Sequence, residues 1–405
     1  MKKSALTGLI ISACLLTTGR LTARVLTSLN EVDTPKVVRM DIVDVIHKVC
    51  KKNFVVDTTQ SKEGEPLFSF LPGIGFSQLT LFTIGVGANV SFYISKNKSA
   101  NISTINFFPE VAQNKQFTSL LISSIWTKNN AYNIIGDWRY YSYSIKDYGL
   151  GPNTLEAVYN DYDFQFIRLR QAILKTIYPD FLIGTGYSLD YHFKIHNKDK
   201  FEKPIVANSD ITSKTISSGI SLNVLYDTRR NENSPLAKGW YLGLMAIQNF
   251  KFLKSTFSYQ SVYLDLRHYI SFPRHSKNIL AFWNLNWLTL GKSVPYFDLP
   301  STLWDTYDNA GRTYIQGRFR GRNMLYFETE YRFNILRNEL LGAAVFANAQ
   351  NFSENGALFS SKFLPGYGAS LRLKLNKKSN VYFVVSYGMG IGGAKGFLFN
   401  FGEMF

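Results

Sequence analysis

Cysteine is almost missing from this chain: Cys14 and Cys50 are the only two in 405 residues. Cys14 lies in an N-terminal apolar run that reads as a removable leader, which leaves Cys50 alone. A disulfide framework and a cysteine-ligated metal cluster are therefore excluded. Histidine is scarce as well, at five positions. His192 and His196 stand four apart on an alternating segment, about 13 Å at the rise of a strand, too far to share a zinc ion. His268 falls on the apolar side of its segment beside Ile270 and reads as interfacial. No G-x-S-x-G nucleophile elbow occurs. "GTGYS" and "GYGAS" precede no helix and read as glycine-relieved strand positions rather than phosphate loops. No cofactor, no metal site and no enzymatic activity are expected. Beyond the leader, no run of about 18 apolar residues occurs, which excludes a helical membrane protein. A membrane β-barrel is untouched by that absence, because alternating strands average out. The mean hydropathy of −0.08 fits either outcome.

Aromatic residues are abundant, with 32 Phe and 24 Tyr, and 45 basic against 29 acidic residues leave a formal charge of +16. An anionic partner fits that excess, whether nucleic acid, anionic lipid or acidic cargo. The N-terminus narrows the choice. "MKK" followed by "SALTGLIISACLLTTG" reads as a secretory signal peptide over 1–19, cleaved after Gly19. "ISAC" resembles a lipoprotein processing site, but the apolar run continues past Cys14 through Leu16, which argues against lipidation. Residues 20–65 form a preamble. In "MDIVDVIHKVCKK" the residues Ile42, Val45, Ile46 and Val49 share one helical face, opposite Asp41, Asp44, Lys48 and Lys51. "DTTQSKEGEP" reads as a linker.

From Pro66 to the end the pattern has a period of two. In "SVYLDLRHYISF" the residues Val262, Leu264, Leu266, Ile270 and Phe272 share one face, and Tyr263, Asp265, Arg267, Tyr269 and Ser271 the other. In "FLIGTGYSLDYHFKI" Phe181, Ile183, Tyr187, Leu189, Tyr191, Phe193 and Ile195 oppose Gly184, Gly186, Ser188, Asp190, His192 and Lys194. A soluble sandwich also alternates, yet these segments run to a dozen residues or more, against roughly 5–6 in globular strands. Aromatics gather near segment ends, as interfacial girdles do. About 16 segments can be counted, an even number as bacterial barrels have. Terse connections such as "TKNNA", "YPD", "PRHSKN" and "ILRNE" alternate with long ones such as "KDYGLGPNTLEAVYND", 292–322 and "SENGALFSSKF". Short turns at one rim and long loops at the other make residues 66–405 an all-β, 16-stranded antiparallel transmembrane β-barrel of the Gram-negative outer membrane.

Three motifs resemble the BamA/TamA-like barrels, the bacterial surface antigen family. "YDTRRNENSPLAKGWYLGL" is similar to their hairpin, through Asp227, Thr228, Arg229, Pro235, Gly239, Trp240 and Tyr241. "GRTYIQGRFRGRN" resembles their loop-six motif: Arg312, Thr313 and Tyr314 match its first part, and Gly317, Arg318, Phe319 and Arg320 its second. The strand after it carries Glu328 and Glu330 as one subgroup does. "GFLFNFGEMF" resembles the C-terminal signal by which such barrels are inserted, with Phe397, Phe399, Phe401 and Phe405 on one face. The resemblance implies that the sixth exterior loop folds back into the lumen, where Arg312 pairs with acidic groups of the wall, Glu330 first. Thr313 stands where the family has glycine. Asn348 stands where many relatives place an aspartate, so Arg312 is expected to keep one charged acceptor and one neutral one.

The family's assembly members carry POTRA modules before the barrel, and 20–65 is too short for one; the resemblance therefore points to the POTRA-less subgroup. It implies insertion or export of protein or lipid clients at a weakly sealed seam between first and last strands, beside "GIGGAKG". The alternative is a passive or anion-selective pore in which Arg312, Arg318 and Arg320 form a constriction. Expected partners are outer-membrane lipids and lipopolysaccharide phosphates facing the Lys and Arg of the exterior loops, client proteins or lipids, and the assembly machinery that inserts the barrel itself. Nucleic acid is not expected, since export removes the chain from any duplex.

Overall fold

The computed structural model describes residues 39–42, 44–45, 66–77, 79–95, 100–198, 211–229, 239–354, 357–376 and 381–405. The signal segment 1–19, most of the preamble, its linker and Pro235 lie outside the described residues.

Segments rich in β-branched and aromatic residues, punctuated by Gly, Pro and Asn, favour extended backbone. They form β1 (Leu67–Ser77), β2 (Leu81–Phe92), β3 (Ser103–Ala112), β4 (Phe117–Trp126), β5 (Tyr132–Asp147), β6 (Asn160–Tyr178), β7 (Phe181–Asn197) and β8 (Lys214–Asp227). The second half holds β9 (Gly239–Asn249), β10 (Tyr259–Ser271), β11 (Ile279–Leu290), β12 (Asn323–Asn334), β13 (Leu341–Ser353), β14 (Leu364–Asn376), β15 (Val381–Gly390) and β16 (Lys395–Phe401). They make one sheet in chain order, each strand antiparallel to the next. β1 and β16 lie side by side, but no hydrogen-bonded pairing joins them among the described residues. β1 carries Pro72, which can donate no ladder bond and belongs at a sheet edge.

The two faces of the sheet invert the arrangement of a soluble protein. Along β12, Met324, Tyr326, Glu328, Glu330 and Arg332 are buried while Phe327 between them is exposed. Phe82, Ile84, Val345, Tyr367 and Leu371 are exposed, whereas Arg332, Arg372 and Lys374 are buried. Charge inside and grease outside is what a lipid solvent selects, because a lone charge is costly in hydrocarbon and an apolar side chain is not.

One strand departs from its expected parity. Lys194 has a φ of +53°, and the register of β6 against β7 shifts between Asp163 and Gln165. A bulge inserts one residue and flips every side chain beyond it. Ile195, expected with Phe193 on the lipid side, packs instead against the buried aromatic cluster of the inner face.

The rims are unequal. The long connections 148–159, 198–213, 250–258, 291–322 and 354–363 share one rim, but so do the short ones at 78–80, 113–116 and 391–394, which flank β1 and β16. Strand length follows: β5, β6 and β7 have 16, 19 and 17 residues, and β16 has 7. "GIGGAKG" is the turn between β15 and β16, with Gly392 and Gly393 at positive φ, rather than part of an open edge.

At the opposite rim the expected helix begins at Ile42. The Asp41 and Asp44 side chains each accept the other's backbone N–H at 3.0 Å, a reciprocal cap that buries Asp41 instead of exposing it on a polar face. Met40 N donates to Asn338 O at 3.0 Å, and Arg39 meets Glu339 at 3.3 Å.

Candidate functional site

The loop 291–322 first folds on itself. Ser301 bridges Arg320, Thr302 N donates to Phe319 O at 3.0 Å, and Leu303 N donates to Ala310 O at 2.8 Å. The Asp305 carboxylate collects the backbone N–H groups of Tyr307, Asn309 and Ala310, which closes the tip. The loop satisfies much of its own backbone in this way, and its side chains are left to meet the sheet.

Arg312 donates to Glu328 at 2.6 Å and also to Glu330, with Ser386 of β15 at 3.4 Å and the Phe346 ring 3.5 Å beneath its guanidinium. Both acceptors are carboxylates. Asn348 does not receive the arginine: its amide donates to Glu328 at 3.4 Å, so the expected neutral acceptor steadies the acid instead. Tyr326 OH donates to the same carboxylate. A guanidinium between two carboxylates with solvent removed is held by charge-assisted bonds.

The left-handed positions of the loop are Gly311 and Gly317, at φ of +93° and +77°; Thr313 needs none. Its side chain instead fills space vacated by the wall. A Cβ on Gly366 would lie 2.3 Å from Thr313 Oγ1, and one on Gly388 2.6 Å from Thr313 Cγ2. Gly390 does the same for the ring of Tyr314, whose hydroxyl donates to Pro365 O and accepts Ile391 N at 3.2 Å.

Arg318 and Arg320 turn away from β12. Arg318 donates to Thr154 Oγ1 at 2.7 Å and its carbonyl at 2.8 Å. Arg320 stands 3.5 Å from Asp147, and its carbonyl accepts Gly151 N at 2.7 Å. Both anchor the connection 148–159, so the expected three-arginine constriction does not form.

Sequence reasoning missed several anchors. Asp298 accepts from Ser217 of β8 and from Tyr259 of β10 at 3.1 Å, and lies 3.3 Å from His192 of β7. Trp304 meets Tyr141, Tyr143 and Phe166. Thr302 donates to Gln350 of β13 at 3.0 Å. One loop thus reaches β5 to β8 on one side and β12 to β15 on the other, which requires the sheet to curl around it. A second missed signal is Asp-x-Arg on a strand: Asp137/Arg139 and Asp265/Arg267 are each paired at 2.6–2.9 Å, as is Asp227/Arg229 of the expected hairpin motif at 2.7 Å. Period two puts both partners on one face. Of the expected hairpin motif, Thr228 N donates to Trp240 O at 2.9 Å, and Gly239 leaves room for Arg229, whose guanidinium lies 4.3 Å over Tyr241.

The expected C-terminal signal divides. Phe397 is half exposed on the outer face, while Phe405 is buried with its ring stacked on Trp283. Gly402, at φ of +99°, turns the chain inward between them, so Phe405 does not share the face of Phe397; the side chain of Phe401 lies outside the described residues. Beside the loop a cavity of about 2350 Å³ is lined by β1 to β4, β16 and the inner faces of β5 to β11.

No family model matches the sequence, and no curated protein matches it. Solved structures do match its fold. BamA from Haemophilus ducreyi lacking POTRA domains 1–3 has a TM-score of 0.52 at 13% identity, over 84% of this chain and 73% of that one. CdiB from Acinetobacter baumannii has 0.52 at 12%, over 84% and 66%. CdiB from Escherichia coli has 0.52 at 9%, over 84% and 68%. Identities this low establish a likeness of architecture: the chain has the β-barrel fold of BamA and CdiB.

Proposed function

We propose that this protein is an outer-membrane barrel of sixteen strands, its sixth exterior loop folded into the lumen, that inserts or exports protein or lipid clients at the seam between β1 and β16. The observation that carries the reading is the pairing itself: consecutive ladders run from β1 to β16, and none joins the two ends among the described residues. A strand edge only weakly joined to its neighbour is a template for another chain. Pro72 in β1 and the seven residues of β16 make that edge the weakest part of the wall. The loop, held at Arg312 and Asp298, occupies the interior on the side away from the seam, and the seam is the exit with least to break.

The test is a photoreactive side chain placed at Leu398 in β16, with Leu285 in β11 as control, during export of nascent barrels. Adducts at position 398 and none at 285 support the reading; equal labelling, or none at either, overturns it. A pore is the second reading, and the cavity favours it. Acidic side chains outnumber basic ones along its lining, so it would prefer cations rather than the anions the sequence suggested.

A further inference from the structure

The charged chain that begins at Arg312 continues past β12. Glu330 accepts from Arg312 and, at 2.5 Å, from Arg332. Arg332 stands 3.8 Å from Glu403, which also accepts from Arg372 of β14. Arginine and glutamate therefore alternate without a gap from the loop 291–322, across the wall, to the residues that follow β16. Two further bonds run beside them: a neutral one from Asn309 Nδ2 to Met404 O at 2.8 Å, and a charge-assisted one from Arg332 Nη2 to Phe405 O at 3.0 Å. The Phe405 ring stacks on Trp283 at 5.2 Å, with the Arg332 guanidinium 5.1 Å from its centroid. Met404 and Phe405 are each 3% exposed.

We infer that Gly402–Phe405 is an internal latch through which the loop 291–322 holds the edge strand β16. The segment leaves β16 directly, so its seating fixes the end of that strand. Each inner charge in the series serves a neighbour on both sides, so removing one leaves the next buried with one partner fewer, and the loss passes along the row. Loosening the loop at Arg312 then frees β16, and freeing Phe405 loosens the loop, since coupling between two sites is reciprocal. The consequence for clients rests on the seam reading above; the coupling itself is a property of this chain and is measured without any client.

The experiment is amide hydrogen exchange on the purified full chain in lipid nanodiscs, following the β16 amides Phe397–Phe401 and the loop amides 309–314. Arg312→Gln should speed β16 exchange by about tenfold, the effect of one lost charge-assisted bond. Because Arg312 also reaches Ser386, beside Leu398 in the ladder, the comparison is repeated in a Ser386→Ala background. Glu403→Gln should give the same rise, and the double variant no more than the larger single one, as for members of one row. Phe405→Ala should speed exchange in the loop. If Arg312→Gln prevents folding, seen as loss of the heat-modifiable gel band, Asn309→Ala breaks the neutral bond and is read in the same way. The latch is overturned if exchange rises only beside each substitution, or if the two charge changes multiply independently.

Discussion

Arg312 Nη2 lies 2.6 Å from Glu328 Oε1, with both side chains fully withdrawn from solvent. In water such a pair contributes little, but here neither partner has an alternative solvent shell. Removing the cation leaves Glu328 and Glu330 facing each other. Arg312→Gln should therefore cost about 3–5 kcal/mol and expose the loop to protease, while Arg312→Gln with Glu328→Gln should recover part of that, because Glu330 keeps its pair with Arg332. Limited proteolysis of folded protein, with cleavage mapped to 291–322, reads both. Unchanged resistance in the single variant would remove the latch at its first link.

Glycine in the wall predicts a second effect. Gly388 faces Thr313 so closely that a Cβ would lie 2.6 Å from Cγ2 and 3.2 Å from Cα. Gly388→Ala should thus cost about 1–3 kcal/mol by overpacking. Thr313→Ala removes the nearer atom and should restore part of the loss, which neither change does alone. Denaturant midpoints of the two singles and the double decide it, and strict additivity would show that the loop is not seated there.

These contrasts also explain what was legible in the sequence. The parity of β12 could be read because lipid and lumen alternate strictly along an unbroken ladder, so Glu328, Glu330 and Arg332 declared their face. Ile195 could not be placed, since the bulge at Lys194 depends on how β6 pairs with β7. Asp298 was invisible for another reason: its partners Ser217, Tyr259 and His192 are distant in sequence and come together only when the sheet curls. Phe405 was misplaced because alternation was carried across Gly402, where the backbone turns. Periodicity reports the regular part of a barrel, and the loop's anchors are tertiary.

Glu339, in the turn between β12 and β13, gives a pH dependence. Burial would raise its carboxyl, but hydrogen bonds from Lys277 and Lys374 and the charges of Lys374 and Arg39 outweigh that and hold it at about 2, below the ordinary 4.5. A depressed acid stabilises the fold above its unfolded value and loses that contribution as pH falls through its folded value. The thermal midpoint should fall between about pH 4.5 and 2 more steeply in the natural chain than in Glu339→Gln. Since other carboxylates titrate over the same range, the difference between the two curves is the measurement, and parallel curves would refute the assignment.

Charge in the cavity sets the last expectation. Its lining holds eight acidic side chains, Glu110 and Asp137 among them, against the five arginines Arg168, Arg170, Arg229, Arg267 and Arg312, whereas Arg318 and Arg320 are absent from it. The formal +16 of the whole chain therefore says nothing about what the interior admits; the field inside comes from the nearest groups, since screening removes the rest within about 8 Å at physiological salt. In planar bilayers under a salt gradient, any steady current should reverse on the cation side. Glu110→Gln should shift the reversal potential towards zero. Arg318→Glu should leave it unchanged, because that side chain is spent on Thr154. A cation preference abolished by Arg318→Glu would place the arginine in the conducting path and contradict the geometry of the loop.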